Sequence, residues 1–150
     1  MAKQTAAASA TYILRAVLKP RLYRDIEIAR DASLHALAMA IVDAYGFDFD
    51  HAFGFYSKLT GNIYQSPVRY DLFADIEGTT DAGSVKRTPT QTAFPGIGRK
   101  MTFLFDFGDE WRFKVEVIGA GETMPKTRYP KVVAKAGEAP PQYPDPEDDE

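Results

Sequence analysis

Two runs of alternating residues, 100–107 and 111–118, constrain the fold of this chain more than any other feature. Met101, Phe103, Phe105 and Phe107 take every second place in KMTFLFDF, and Trp111, Phe113, Val115 and Val117 do the same in WRFKVEVI. A period of two is the side-chain period of a β-strand, so each run presents one apolar face. The connection is short, so the runs form an antiparallel hairpin. Facing residues of such a pair lie on one side of the sheet, so the apolar sets share a side only if paired numbers sum to an even value. A two-residue Gly108-Asp109 turn pairs Phe107 with Glu110 and mixes the faces, despite the familiar Gly-X signal. A three-residue loop, Gly108-Asp109-Glu110, pairs Phe107 with Trp111 and Phe105 with Phe113. It also sets Asp106 opposite Arg112 as a charge pair. The other even register sets Asp106 against Glu110, which repel, so the three-residue loop is expected.

Upstream, YILRAVLK (12–19) and YRDIEIAR (23–30) read as two more strands, divided at Pro20 and close enough to pair antiparallel. Ile26 and Ile28 face one way, Asp25 and Glu27 the other. The segment DASLHALAMAIVDAYG then changes period. Leu34, Leu37, Ala38, Ile41, Val42 and Tyr45 fall at helical spacing and make one apolar stripe. Ser33 is placed to cap the first turn, and Gly46 suits the left-handed residue after the last. HAFGFYSK (51–58) reads as a strand with Phe53 and Phe55 on one face. Residues 70–76 read as a short strand or a helical turn. Residues 77–98 read as a loop with a short helix at Thr90–Phe94, stopped by Pro95. Tyr129–Ala134 reads as a last strand.

The expected fold class is therefore α+β: a mostly antiparallel sheet with one main helix, about 33–46, packed on a face. A single domain covers 11–137. Residues 1–10 are small and polar and read as a disordered N-terminus. From Ala139 onward PPQYPDPEDDE lacks the means to pack a core, so 138–150 reads as an acidic, Pro-rich tail.

The absence of cysteine excludes disulfides, iron–sulfur clusters and thiolate zinc sites. No apolar run approaches the ~18 residues a membrane span needs. The opening MAKQTAAASA is too poor in large apolar residues for a signal peptide. A cytoplasmic protein with no membrane partner is expected. The net charge of −3 hides an asymmetry: the tail holds six acids, leaving 18 bases against 15 acids elsewhere. The first 30 residues carry six bases and two acids.

Several blocks, taken in order, resemble the plasmid pRiA4b ORF-3-like proteins: TYILRAVLKP, SLHAL, AYGFDFDHAFGF, FDFGDEW and GEAPP. The resemblance spans roughly residues 11–141, and FDFGDEW (105–111) is its most specific piece. It implies a small intracellular α+β protein of a bacterial or archaeal family, some of whose members lie near plasmids and insertion-sequence elements. It implies a fold rather than an activity. The chain departs from the family's pattern at four places. Phe113 stands where members often have histidine, and Phe47 where they often have tryptophan. The cysteine before the late Gly–Pro-Pro block is missing. Pro140-Pro141 run on to Gln142-Tyr143 in place of an acidic, glycine-rich finish. A metal or catalytic site built on that histidine and cysteine would be incomplete here.

His35 lies in the first turn of the helix, at the edge of the apolar stripe, where the positive end of the helix dipole favours a neutral ring. His51 follows Asp48 and Asp50 closely, a grouping compatible with a histidine–carboxylate metal site. Each histidine also has a structural reading, as a ring bonded to backbone. In FDFGDEW, Gly108 serves a positive-φ loop position, Asp109 is a turn residue, Asp106 pairs with Arg112 and Trp111 anchors the hairpin. Asp109 and Glu110 are the acids left without a partner. PGIGRK (95–100) lacks the spacing of a phosphate loop.

The leading expectation is a non-enzymatic binding or accessory module of unknown partner, protein or nucleic acid, with Asp109, Glu110, Trp111 and His51 as binding residues and no cofactor. The alternative is a small metal-dependent hydrolase-like enzyme using His35, His51, Asp106 and Asp109 around a divalent metal. A third reading is weak nucleic-acid binding through Arg15, Lys19, Arg21, Arg24 and Arg30.

Overall fold

A computed structural model describes residues 10–76 and 82–143. The elements run β1 (Ala10–Lys19), β2 (Leu22–Ala29), α1 (Leu34–Ala44), β3 (Phe53–Tyr56), β4 (Arg69–Asp71), α2 (Phe73–Ile76), β5 (Gly83–Ser84), α3 (Thr90–Ala93), β6 (Lys100–Phe105), β7 (Trp111–Glu122) and β8 (Lys131–Ala136). All eight strands join one sheet in the order β5-β4-β3-β6-β7-β1-β2-β8. The β4–β5 pair is parallel and the others are antiparallel. The fold is α+β, a single domain, as the change of sequence period implied.

The helix forms where local signals agree. Ser33 Oγ accepts from the Ala36 N–H at 3.0 Å, satisfying one orphan donor of the first turn. Gly46 ends the helix at φ 73°. The stripe Leu34, Leu37, Ala38, Ile41, Val42 and Tyr45 is buried against Leu14, Ile26, Phe53, Phe103 and Phe113 in one core cluster. Arg24 shares that face of β2 and is only 6% exposed. Its guanidinium donates to the carbonyls of Ala44, at 3.2 Å, and Ala136, at 3.0 Å. A cation thus meets the negative end of α1 and ties it to β8.

The hairpin corrects the expected register. Phe105 faces Trp111, Phe103 faces Phe113 and Leu104 faces Arg112, so the strands take the other even register and the loop is Asp106–Glu110. The anticipated repulsion between Asp106 and Glu110 does not arise, because neither continues its strand. Both turn to positive φ, 68° and 53°. Asp106 Oδ1 accepts the N–H groups of Gly108, at 3.0 Å, and Asp109, at 3.2 Å. This is an Asp side chain closing its own turn. Arg112 instead meets Glu110 at 3.0 Å. Phe107 leaves the core face and packs against a second, smaller cluster of Tyr56, Ile63 and Leu104 on the sheet's other side.

Other boundaries shift modestly. His51 precedes its strand rather than beginning it, β7 runs on to Glu122, and the last strand is Lys131–Ala136. Residues 70–76 supply both a strand end and a helical turn. The expectation that nothing packs from Ala139 onward is corrected at 139–143. Ala139 packs against the core and Gln142 is buried. Gln142 Oε1 accepts the Asp48 N–H at 2.7 Å, and its Nε2 donates to the Asp48 carbonyl at 3.1 Å. The N-terminal disorder expected for 1–10, the rest of the acidic tail and residues 77–81 of the long loop lie outside the described residues, Ala10 excepted.

Candidate functional site

Three segments distant in sequence meet at His51: the stretch entering β3, the β6–β7 loop and the chain after β8. His51 Nδ1 lies 2.7 Å from Asp50 Oδ1, and Nε2 lies 3.5 Å from Asp106 Oδ2. The Tyr143 hydroxyl donates to Asp50 Oδ2 at 3.0 Å, and its oxygen lies 3.1 Å from His51 Nδ1. Gln142 Nε2 donates to Asp50 Oδ1 at 3.2 Å. The edge of the imidazole meets the Phe105 ring, with centroids 6.1 Å apart.

The field at this cluster favours the imidazolium. The bond to Asp50 raises the His51 pKa above its ordinary value against a smaller desolvation effect, with further support from the charges of Asp106 and Asp109. For Asp50, desolvation is outweighed by the bonds from His51 and Tyr143, and its pKa falls. Tyr143 is pushed up to about 12 by desolvation of the phenolate and by its bond to Asp50. An imidazolium has two N–H donors and no free lone pair. In that state His51 neither binds a metal ion nor accepts a proton.

His35 belongs to a different environment. Its ring packs edge-on against Phe49 and Phe53, at centroid distances of 5.4 and 5.7 Å. Burial lowers its pKa, and the nearby Lys86 charge adds to the effect. The neutral ring read from the sequence is therefore kept, with burial as the leading cause. His35 and His51 both line an open cleft of about 530 Å³, walled by Phe49, Phe53, Leu72 and Ile76 and edged by Asp50 and Lys86. His35 also borders a second groove of about 530 Å³ along the outer side of α1, with Met39, Ala40, Phe47 and Pro130.

The sequence-derived candidates are thus partly brought together. His51 and Asp106 meet, with Asp109 near enough to act on His51 through its charge. Glu110 has partners in Arg112 and the Tyr64 hydroxyl. Trp111 packs at a tilt against Phe47, with centroids 4.9 Å apart, and its indole N–H is buried with no hydrogen-bond partner among the described residues. No group of three or more His, Asp or Glu side chains among the described residues is arranged to hold a metal ion. The basic hairpin is largely engaged: Arg15 is held by both Asp25 oxygens at 2.8 and 3.0 Å, Arg24 is buried, and Arg30 lies over the Tyr12 ring. Gln142 and Tyr143 were missed as site residues. The available signal was that charge in the tail is absent from 139–143 and resumes only at Asp145.

Residues 13–144 match the family model described as Plasmid pRiA4b ORF-3-like protein. The chain belongs to that family. The match ends at Pro144, so the family domain includes the docked segment after β8 and not only the sheet and helix. A crystal structure of a protein of unknown function from Methanosarcina mazei Go1 is similar, with a TM-score of 0.68 at 18% identity over 87% of this chain and 72% of that one. At such identity the likeness shows a shared fold alone. A comparison with curated proteins finds no match. Among the described residues no helix is long and apolar enough to cross a membrane.

Proposed function

We propose that this member of the family is a non-enzymatic binding module that uses the cleft between His35 and His51. One observation carries the reading: both ring nitrogens of His51 face carboxylates, Asp50 at 2.7 Å and Asp106 at 3.5 Å. That arrangement favours a protonated His51 bracing the segments over a base or ligand. Asp106 is engaged in turn by the hairpin's own N–H groups. The concave apolar surface beside this brace has a neutral imidazole and Lys86 at its edge, with Asp50 there already engaged by His51, Gln142 and Tyr143, and it has the character of a small-ligand site. It suits an aromatic or branched apolar group ending in an anion. The family description names a plasmid, and we extend the reading to an accessory role in plasmid or mobile-element biology in the bacterial cytoplasm.

A titration of isotope-labelled protein with phenylpropionate tests this. Saturable shifts are expected at His35, Phe49, Leu72 and Ile76, lost in Ile76→Asp. No saturable shift in the cleft would reject it. A second reading, metal-assisted hydrolysis, draws on the approach of His51 to Asp106. Thermal unfolding with Mn²⁺, Zn²⁺ and Mg²⁺ separates the two. The binding-module reading expects no stabilisation, and a saturable stabilisation that disappears in His51→Ala would favour the enzyme.

A further inference from the structure

Charge and strand geometry coincide at β8. The stretch 123–137, TMPKTRYPKVVAKAG, holds Lys126, Arg128, Lys131 and Lys135 and no acid, in a chain of net charge −3. β8 ends the sheet, so its outer backbone donors and acceptors meet no further strand among the described residues. Val132 and Val133 are 46% and 42% exposed. The register shifts at Val133, since Asp25 faces Ala134 and Ile26 faces Val132.

Lysines and a bulge on an edge strand disfavour pairing with a like edge. A second copy joined antiparallel would bring its own Lys131 and Lys135 to this edge, like charge against like charge. The same lysines favour a strand of opposite charge. Beside the edge, Ile26, Ala40, Asp43, Pro130, Lys131 and Val132 line a recess of about 80 Å³. Past Pro130 it adjoins the α1 groove, where Met39 is 46% exposed. Val132 pairs with Ile26 on the helix side of the sheet and Lys131 with Glu27 on the other, so an alternating strand whose apolar side chains meet the recess presents its acids to Lys131.

We propose that β8 is a docking edge for an extended acidic segment of another protein, which adds as a ninth strand. Main-chain pairing would supply affinity, while the recess and the lysines would supply selectivity. This surface is distinct from the His51 cleft and does not depend on it.

The test uses the full chain and a short fluorescein-labelled peptide of alternating Asp and Val, followed by anisotropy. Saturable binding that weakens with salt is expected. Lys131→Glu with Lys135→Glu should bind about tenfold more weakly, a difference of about 1.4 kcal/mol. A Lys/Val peptide should recover binding to that variant. Both lysines are exposed, and circular dichroism checks that the variant folds. A peptide with alternate amides N-methylated should not bind. The proposal is overturned by no saturable binding to the unaltered chain, by binding indifferent to the charge reversal, or by equal binding of the N-methylated peptide. A dimer in sedimentation that the double variant abolishes would make the occupant a second copy and overturn it as well.

Discussion

His35 and His51 are the same side chain in fields of opposite sign. Burial and Lys86 push the first towards neutrality, and Asp50, with Asp106 and Asp109 behind it, pulls the second towards the cation. Their effects on stability therefore oppose each other. His51 binds its proton more tightly folded than unfolded, so its contribution is complete below about pH 6.5, the ordinary histidine value, and fades as pH rises through its folded pKa. His35 binds its proton less tightly folded, so it removes stability as pH falls from about 6.5 through its folded pKa. Proton NMR should show two histidine titrations on either side of that ordinary value. Asp50→Asn should lower the His51 midpoint and leave His35 in place. Coincident midpoints, or a His51 curve indifferent to Asp50, would contradict this account.

At the scale of elements, the hairpin loop shows where sequence pattern stops being informative. Alternation located both strands and required an even register sum, and the structure respects that parity. Two loops satisfied it. The choice was made by Asp106, whose side chain reaches the N–H groups of Gly108 and Asp109 and whose φ is 68°. Those bonds form only in the curled loop and leave no trace in the apolar period. Helix α1 was legible in full because its determinants are local: the stripe, Ser33 before it and Gly46 after it. The loop makes its own prediction. Asp106→Ala removes the acceptor and leaves a Cβ in a left-handed position with no local bond, so it should destabilise by about 2–3 kcal/mol. Asp106→Asn keeps an acceptor and tolerates that conformation, so it should lose less than about 1 kcal/mol. Urea denaturation of both variants measures the difference, and equal losses would remove Asp106's side-chain bonds as the cause.

Across the whole molecule, the segment after β8 closes the site. Composition marked 138–150 as a tail because prolines and acids dominate it, yet Gln142 is 9% exposed and bonded to a residue 94 positions earlier. A pairing at that separation depends on where β3 and β8 lie in the finished sheet, and nothing local to Gln142 encodes it. Its amide replaces a missing strand partner for Asp48, accepting at the N–H and donating to the carbonyl. Tyr143 then covers Asp50 and His51. Docking of this kind should stabilise the domain and protect the Asp48 amide from exchange. Against a chain ending at Tyr143, one ending at Glu138 loses three hydrogen bonds of Gln142, the exposed one from Tyr143 to Asp50 and the packing of Ala139. At about 0.5–1.5 kcal/mol per bond, partly replaced by water, the loss should be about 1–3 kcal/mol. Gln142→Ala should reproduce most of it, and in both the Asp48 amide should exchange faster. Equal stability of the two lengths, with unchanged exchange at Asp48, would mean that the segment rests on the domain without holding it.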